Sequence, residues 1–226
     1  TYVRIEYPGI AFVPGNEING LTCGGVGSST VLDHIMVSRS GDDAFEFFGG
    51  TVNGKYLIAH NTYDDDFDTD FGFQGKIQFG LVKRDPNFAD VSGSNGFESD
   101  NDATGSTNSP QTNPTFSNMT VVGPIQNAGD VINVNYKRGA HLRRNTNTDI
   151  FNSVIIGYPS GIMVDGALCE ASATANSLKV QNSIIAGHNN DFEVAVGSSF
   201  DANAWFTTAA YNNSILDLSS DVMLTD

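Results

Sequence analysis

Apolar residues along this chain come in short runs that alternate with polar ones, such as Val31-Leu32-Asp33-His34-Ile35-Met36-Val37 and Lys55-Tyr56-Leu57-Ile58-Ala59. Alternation with period two is the mark of strands. Apolar residues at i, i+3 and i+4 are nearly absent, and Asn, Gly, Thr and Ser interrupt every segment, so helices are not expected. The strand-like runs recur: Phe116-Ser117-Asn118-Met119-Thr120-Val121-Val122, Phe151-Asn152-Ser153-Val154-Ile155-Ile156, Leu178-Lys179-Val180-Gln181-Asn182-Ser183-Ile184-Ile185 and Asn213-Ser214-Ile215-Leu216. Successive copies are about 22 to 34 residues apart, a spacing typical of solenoids. Each copy is too short to bury its apolar side alone and must stack on the next. The pattern predicts an all-β chain, a right-handed parallel β-helix spanning residues 1–226 as one domain, with loop excursions at 85–114 and 166–177 where Asp, Asn, Ser, Gly and Thr accumulate.

Stacking places remote residues side by side. Asn118, Asn152, Asn182 and Asn213 hold the same place in four copies, which predicts an amide ladder at the 4.7–4.9 Å strand spacing. Aligned on its core residue, each copy puts Phe45, Phe67, Phe97, Ala140, Ile162 and Phe192 in an inward column. The next position then faces outward and collects Glu46, Asp68, Glu98, His141, Met163 and Glu193. Two residues on come Phe48, Asp70, Asp100, Arg143, Asp165 and Ala195.

The densest charge lies in Asp64-Asp65-Asp66-Phe67-Asp68-Thr69-Asp70, five carboxylates in seven residues. In a strand Asp66, Asp68 and Asp70 share one face and Phe67 and Thr69 the other. Stacked like charges repel by about 1 kcal/mol per pair even in water, so the wall needs a cation. A hard ion that takes six to eight oxygens suits it, and Ca2+ is the expected cofactor, held by Asp42, Asp43, Asp64, Asp65, Asp66, Asp68, Asp70, Glu98 and Asp100. An EF-hand is excluded, because a loop starting at Asp66 has Phe71 where glycine is needed and Ile77 where the bidentate glutamate belongs. The alternative is a solvated face neutralised by Arg143, Arg144, Lys76 and Arg84.

The net charge of -15 repels nucleic acid and anionic membranes, and no apolar run reaches the roughly 20 residues that cross a bilayer. Cys23 and Cys169 fall several coils apart, too far for the Cα separation a disulfide needs, and match no metal-ligand spacing. Trp205, Phe206 and Tyr211 are expected in the core of a terminal coil. Thr1 begins within a strand-like pattern, as in a mature product or a piece of a longer polypeptide, and an incomplete β-helix allows end-to-end self-association.

The stretches Tyr2-Val3-Arg4-Ile5-Glu6-Tyr7, Glu17-Ile18-Asn19-Gly20-Leu21-Thr22, Ser40-Gly41-Asp42-Asp43-Ala44-Phe45-Glu46-Phe47-Phe48-Gly49-Gly50, Asp64 to Asp70 and Gly139-Ala140-His141-Leu142-Arg143-Arg144 resemble secreted β-helix proteins of Bacteroidetes-type bacteria associated with type IX export, similar in fold to the pectin-lyase-like superfamily. The resemblance implies an extracellular or cell-surface protein with polysaccharide as partner. It also frames the functional expectations: a calcium-binding module of a larger secreted protein, interacting with polysaccharide or in adhesion; a calcium-dependent lyase or hydrolase of acidic glycans; or a structural filament unit. For the enzyme, Arg143, Arg144 and His141 are the candidate catalytic residues and Lys76 and Arg84 the candidate substrate-binding cations.

Overall fold

A computed structural model describes residues 2–10 and 18–224; Thr1, on which the reading of the chain's start rests, lies outside them. The chain winds as a parallel β-helix, and every strand pairing is parallel. One sheet has seven strands stacked in chain order, from Leu21–Gly24 through Phe45–Phe48, Phe67–Asp70, Phe97–Ser99, Arg138–Arg143 and Ser160–Asp165 to Asn190–Val194. The other has twelve, because the long strands Val31–Ser38 and Asn53–His60 give way in later coils to pairs of short ones, first Lys76–Gln78 and Leu81–Lys83.

That division happens at a corner. His34, Tyr56, Phe79, Asn118, Asn152, Asn182 and Asn212 occupy it in successive coils, all with φ between 50° and 61°. Asparagine and histidine tolerate this left-handed conformation; Tyr56 and Phe79 adopt it at a cost. Their rings stack, His34 on Tyr56 at 4.5 Å and Tyr56 on Phe79 at 5.2 Å between centroids, which offsets part of it. The amide ladder ends on Asn212, not Asn213: Ile184 pairs with Ser214, so Asn182 faces Asn212, whose Nδ2 donates to Asn182 Oδ1 at 3.2 Å. Asn213 turns its amide to the carbonyls of Val180 and Phe206.

The interior is a stack of aromatic rings, with Phe45 on Phe67 at 5.2 Å, Phe67 on Phe97 at 5.9 Å and Phe47 on Phe73 at 4.6 Å, all fully buried. Burial of such a ring stabilises by about 1.5–3 kcal/mol. Residues 85–114 are not one excursion, because Phe97–Ser99 interrupts them and takes its place in the seven-stranded sheet. Two helices also form: Ala167–Thr174 within the second excursion, and Ala202–Phe206, whose Trp205 and Phe206 are buried together with Tyr211. Cys23 and Cys169 are buried and unbridged.

Asp66 and Arg84 are core residues. Both side chains are fully buried, with Arg84 Nε donating to Asp66 Oδ2 at 2.8 Å and Nη1 to the Thr62 carbonyl at 2.7 Å. Nη2 donates to the carbonyls of Asp64 and Asn95, and the guanidinium carbon lies 5.5 Å from the centre of the Tyr136 ring. Neither residue reaches the outer wall. A buried pair adds little net stability, but removing one member strands a charge, at a cost of about 3–5 kcal/mol. Arg84→Met is therefore expected to lower the urea-unfolding free energy by that amount, and adding Asp66→Asn to recover most of it; an unaffected single variant would contradict the pairing.

Candidate functional site

The outer wall of the seven-stranded sheet carries the charge. Its first column runs Thr22, Glu46, Asp68, Glu98, His141, Met163, Glu193, each paired in register with the next. The second contains Gly24, Phe48, Asp70, Asp100, Arg143 and Asp165, with Asp100 N donating to the Thr69 carbonyl at 2.9 Å. Strand spacing sets neighbouring members about 4.8 Å apart along the axis. The sequence register holds along the wall.

The wall divides into two regions of different chemistry. Toward the C-terminal coils the acids have basic partners. Arg143 grips Asp100 through Nε at 2.8 Å and Nη2 at 3.1 Å and also pairs with Glu98; Arg144 Nη1 reaches Asp100 at 2.8 Å. His141 bridges Glu98, 3.4 Å from Nδ1, and Asp165, 3.0 Å from Nε2. Burial pushes the Glu98 carboxyl up, but the His141 hydrogen bond and the Arg143 charge bring it below its usual range. Burial likewise opposes the charge on Arg143, and its hydrogen bond to Asp100 with the charges of Glu98 and Asp100 prevails, raising its pKa. Arg143 is a locked guanidinium.

Toward the N-terminal coils the chemistry differs. Carboxylate oxygens of Asp42, Asp43 and Asp64 lie within 4.8 Å of one another, as do those of Asp43, Glu46 and Asp68. Among the described residues no arginine, lysine or histidine forms an ion pair with Asp43, Glu46, Asp64 or Asp68. One oxygen each of Asp64 and Asp68 is buried and finds no hydrogen bond among the described residues. Burial is the main cause that raises all of these acids: Glu46 to about 8, with Asp42, Asp70 and Glu98 adding to it, and Asp64 to about 7, with the Ser92 hydroxyl opposing. Asp43 and Asp68 rise well above the carboxylate range for the same reason, and Asp70 to about 6. The fold makes these oxygens poor anions in water and good ligands for a hard cation, so the donor set fits one.

Not every expected ligand belongs to this region. Asp65 is 4% exposed and its Oδ1 accepts from Asn95 N at 2.5 Å and Nδ2 at 3.1 Å. It is part of a backbone ladder in which each side-chain oxygen accepts the N–H of the matching residue one coil on: Asn19 from Asp43 at 3.3 Å, Asp43 from Asp65 at 2.9 Å, Asp65 from Asn95. Glu98 and Asp100 lie in the compensated region, Asp66 and Arg84 are interior, and Lys76 lies on the twelve-stranded sheet, beside Asn53. Sequence reasoning missed Asn19, which donates to Glu46, Ser92, which donates to Asp64 at 2.9 Å, and Asn95. The ladder had a visible signal: Asn19, Asp43, Asp65 and Asn95 each stand two residues before an inward Leu21, Phe45, Phe67 or Phe97.

Glu46 fixes a pH dependence. Its folded value, about 8, exceeds its ordinary 4.5, so between those values the folded state binds more protons than the unfolded one and stability falls as pH rises. With divalent cations chelated, the melting temperature is expected to be higher at pH 5.5 than at pH 8.5, a difference that Glu46→Gln reduces. Calorimetric scans across that range check it, and a rising profile would contradict the assignment.

A family model described as a pectate-lyase like beta helix domain matches residues 1–220. No curated protein and no solved structure matches the chain. With the family model covering nearly its whole length, and stacked parallel coils presenting one continuous outer wall, the chain belongs to the pectate-lyase-like β-helix family.

Proposed function

We propose that this chain is a calcium-binding β-helix module of an extracellular or cell-surface protein, and that it engages polysaccharide along the outer wall of its seven-stranded sheet. The observation that carries this reading is the cluster of carboxylate oxygens of Asp43, Glu46, Asp64 and Asp68, which form no ion pair among the described residues and two of which find no hydrogen bond there. An all-oxygen set of this kind suits Ca2+ rather than softer metals. Asp42, Asp43, Asp64, Glu46 and Asp68 would hold the ion, which when bound offers open coordination positions to glycan hydroxyl and carboxylate oxygens. Asp70 lies on the neighbouring column and would contact the glycan directly.

A calcium-dependent lyase or hydrolase is the second reading. It draws on the position of His141, Arg143 and Arg144 on the coils beyond the acids. Proton abstraction α to a uronate carboxylate needs a base with a free lone pair. Arg143 is tied to Glu98 and Asp100 and held charged, and Arg144 donates to Asp100, which favours the binding module.

An ion that binds only the folded state at 100 times its Kd stabilises by about 2.7 kcal/mol. Calcium is expected to raise the melting temperature over that in chelator, and Asp43→Asn combined with Asp68→Asn to remove most of the rise. A melt indifferent to calcium ends the metal reading. Incubation with polygalacturonate or alginate plus calcium separates the two functions: the module yields no unsaturated product in the ultraviolet, whereas product formation abolished by Arg143→Ala would establish the lyase.

A further inference from the structure

The outer face of the twelve-stranded sheet carries a hydroxyl–imidazole pair remote from the acidic wall. Strands Val31–Ser38 and Asn53–His60 run parallel with Ser38 opposite His60, and Ser38 Oγ lies 2.9 Å from His60 Nδ1. Alternation puts Met36 and Ile58 on the same face two residues earlier, in register with each other and with Leu81. These three side chains and the rings of Tyr56 and Phe79 line a groove of about 380 Å3 whose walls are almost wholly apolar. Tyr56, Phe79 and Leu81 are each about two-fifths exposed, so the groove is open to a ligand. Two residues of strand, about 6.6 Å, separate it from the pair.

Charged residues flank the pair, among them Glu6, which stands opposite Ser38 in register and pairs with Arg4. Ser38 is 9% exposed, which limits competition from bulk water for its hydroxyl. Arg39 follows Ser38, and its Nη2 lies 3.8 Å from Asp85 Oδ2. Lys83 stands opposite His60 in register. Burial together with the charges of Arg39 and Lys83 lowers the His60 pKa, against the opposing pull of Asp85, so at neutral pH the imidazole is an uncharged base.

We propose that Ser38 and His60 are a nucleophile and base that hydrolyse carboxylic esters of apolar acyl groups, with the acyl group lying in the groove of Met36, Ile58 and Leu81. Ser38 Oγ attacks the carbonyl carbon while its proton passes to His60 Nδ1, and the carbonyl electron pair moves onto oxygen, where Arg39 and Lys83 supply positive charge. Collapse expels the alcohol, which leaves with the proton from His60, and Ser38 remains acylated. Water then adds to the acyl carbon as His60 takes its proton; the second collapse breaks the bond to Ser38 Oγ, which recovers that proton as the carboxylic acid departs. No metal enters these steps.

The test uses the native protein in excess chelator, so that its outcome is independent of cation binding. An alkyl fluorophosphonate is added, and the digested protein is mapped by mass spectrometry. Phosphonylation is expected at Ser38 in the native protein and not in the urea-unfolded one, with His60→Gln slowing it about 100-fold or more. p-Nitrophenyl octanoate is expected to be cleaved faster than the acetate, with Ser38→Ala removing the octanoate activity while circular dichroism shows the fold intact. A native protein without an adduct on Ser38 overturns the proposal whatever the variants do, and so does octanoate hydrolysis equal in wild type and Ser38→Ala.

Discussion

The parallel hydrogen-bond ladder between coils governs the molecule, because it obliges each residue to stand about 4.8 Å above one at the same position in the next turn. Inside, that constraint is favourable: Phe45, Phe67 and Phe97 stack ring on ring, and the dispersion and burial gained grow with every coil added. Outside, the same constraint forces Glu46, Asp68 and Glu98 into a column of like charges. One geometry thus supplies the core cohesion and the electrostatic stress of the wall. The stress is relieved unequally, since Glu98 is drawn to His141 and Arg143 on the C-terminal side, leaving Asp68 with carboxylates above and below and no ion pair among the described residues.

Where side-chain direction follows from alternation within a strand, the sequence is transparent. The inward aromatic column and both outward columns could be read from it, since an aromatic anchor in most coils sets the phase. Alternation fails just outside a strand, which is why Asp66 does not share the face of Asp68 and Asp70. It precedes Phe67–Asp70 and falls in a column with Gly20, Ala44, Gly96 and Gly139, where the side chain points into the core: a Cβ at Gly20 would meet Val37 and one at Gly139 would meet Ile155. The run of small residues was the clue, and a charged residue among them implies an internal partner, here Arg84.

The corner column was legible only in part, for a conformational reason. Asn118, Asn152 and Asn182 advertise a left-handed position, whereas Tyr56 and Phe79 do not, since bulky aromatic residues rarely take positive φ. Their conformation follows from the stacking imposed by their neighbours, which no local pattern encodes. At the last coil two adjacent asparagines competed, and the inward hydrogen bonds of Asn213 decided for Asn212. The helix Ala167–Thr174 buries only Cys169 and Ala173, too narrow an apolar stripe to be seen as periodicity.

The backbone ladder on the turn before the seven-stranded sheet gives the acidic cluster its meaning. Asn19, Asp43 and Asp65 do the same mechanical work, each offering a side-chain oxygen to a backbone N–H of the following coil, and Asn95 closes the series as a donor to Asp65. An amide oxygen performs that task as well as a carboxylate, and at the first rung, Asn19, it does. The carboxylates therefore add nothing to the ladder that asparagine would lack, while adding a negative charge that burial makes costly. That charge stands on the two coils where Glu46 and Asp68 also lack cations, although asparagine would have removed the repulsion. Coil stacking explains why an oxygen belongs at Asp43; it does not explain why a carboxyl group rather than an amide supplies it, and the proposed cation would.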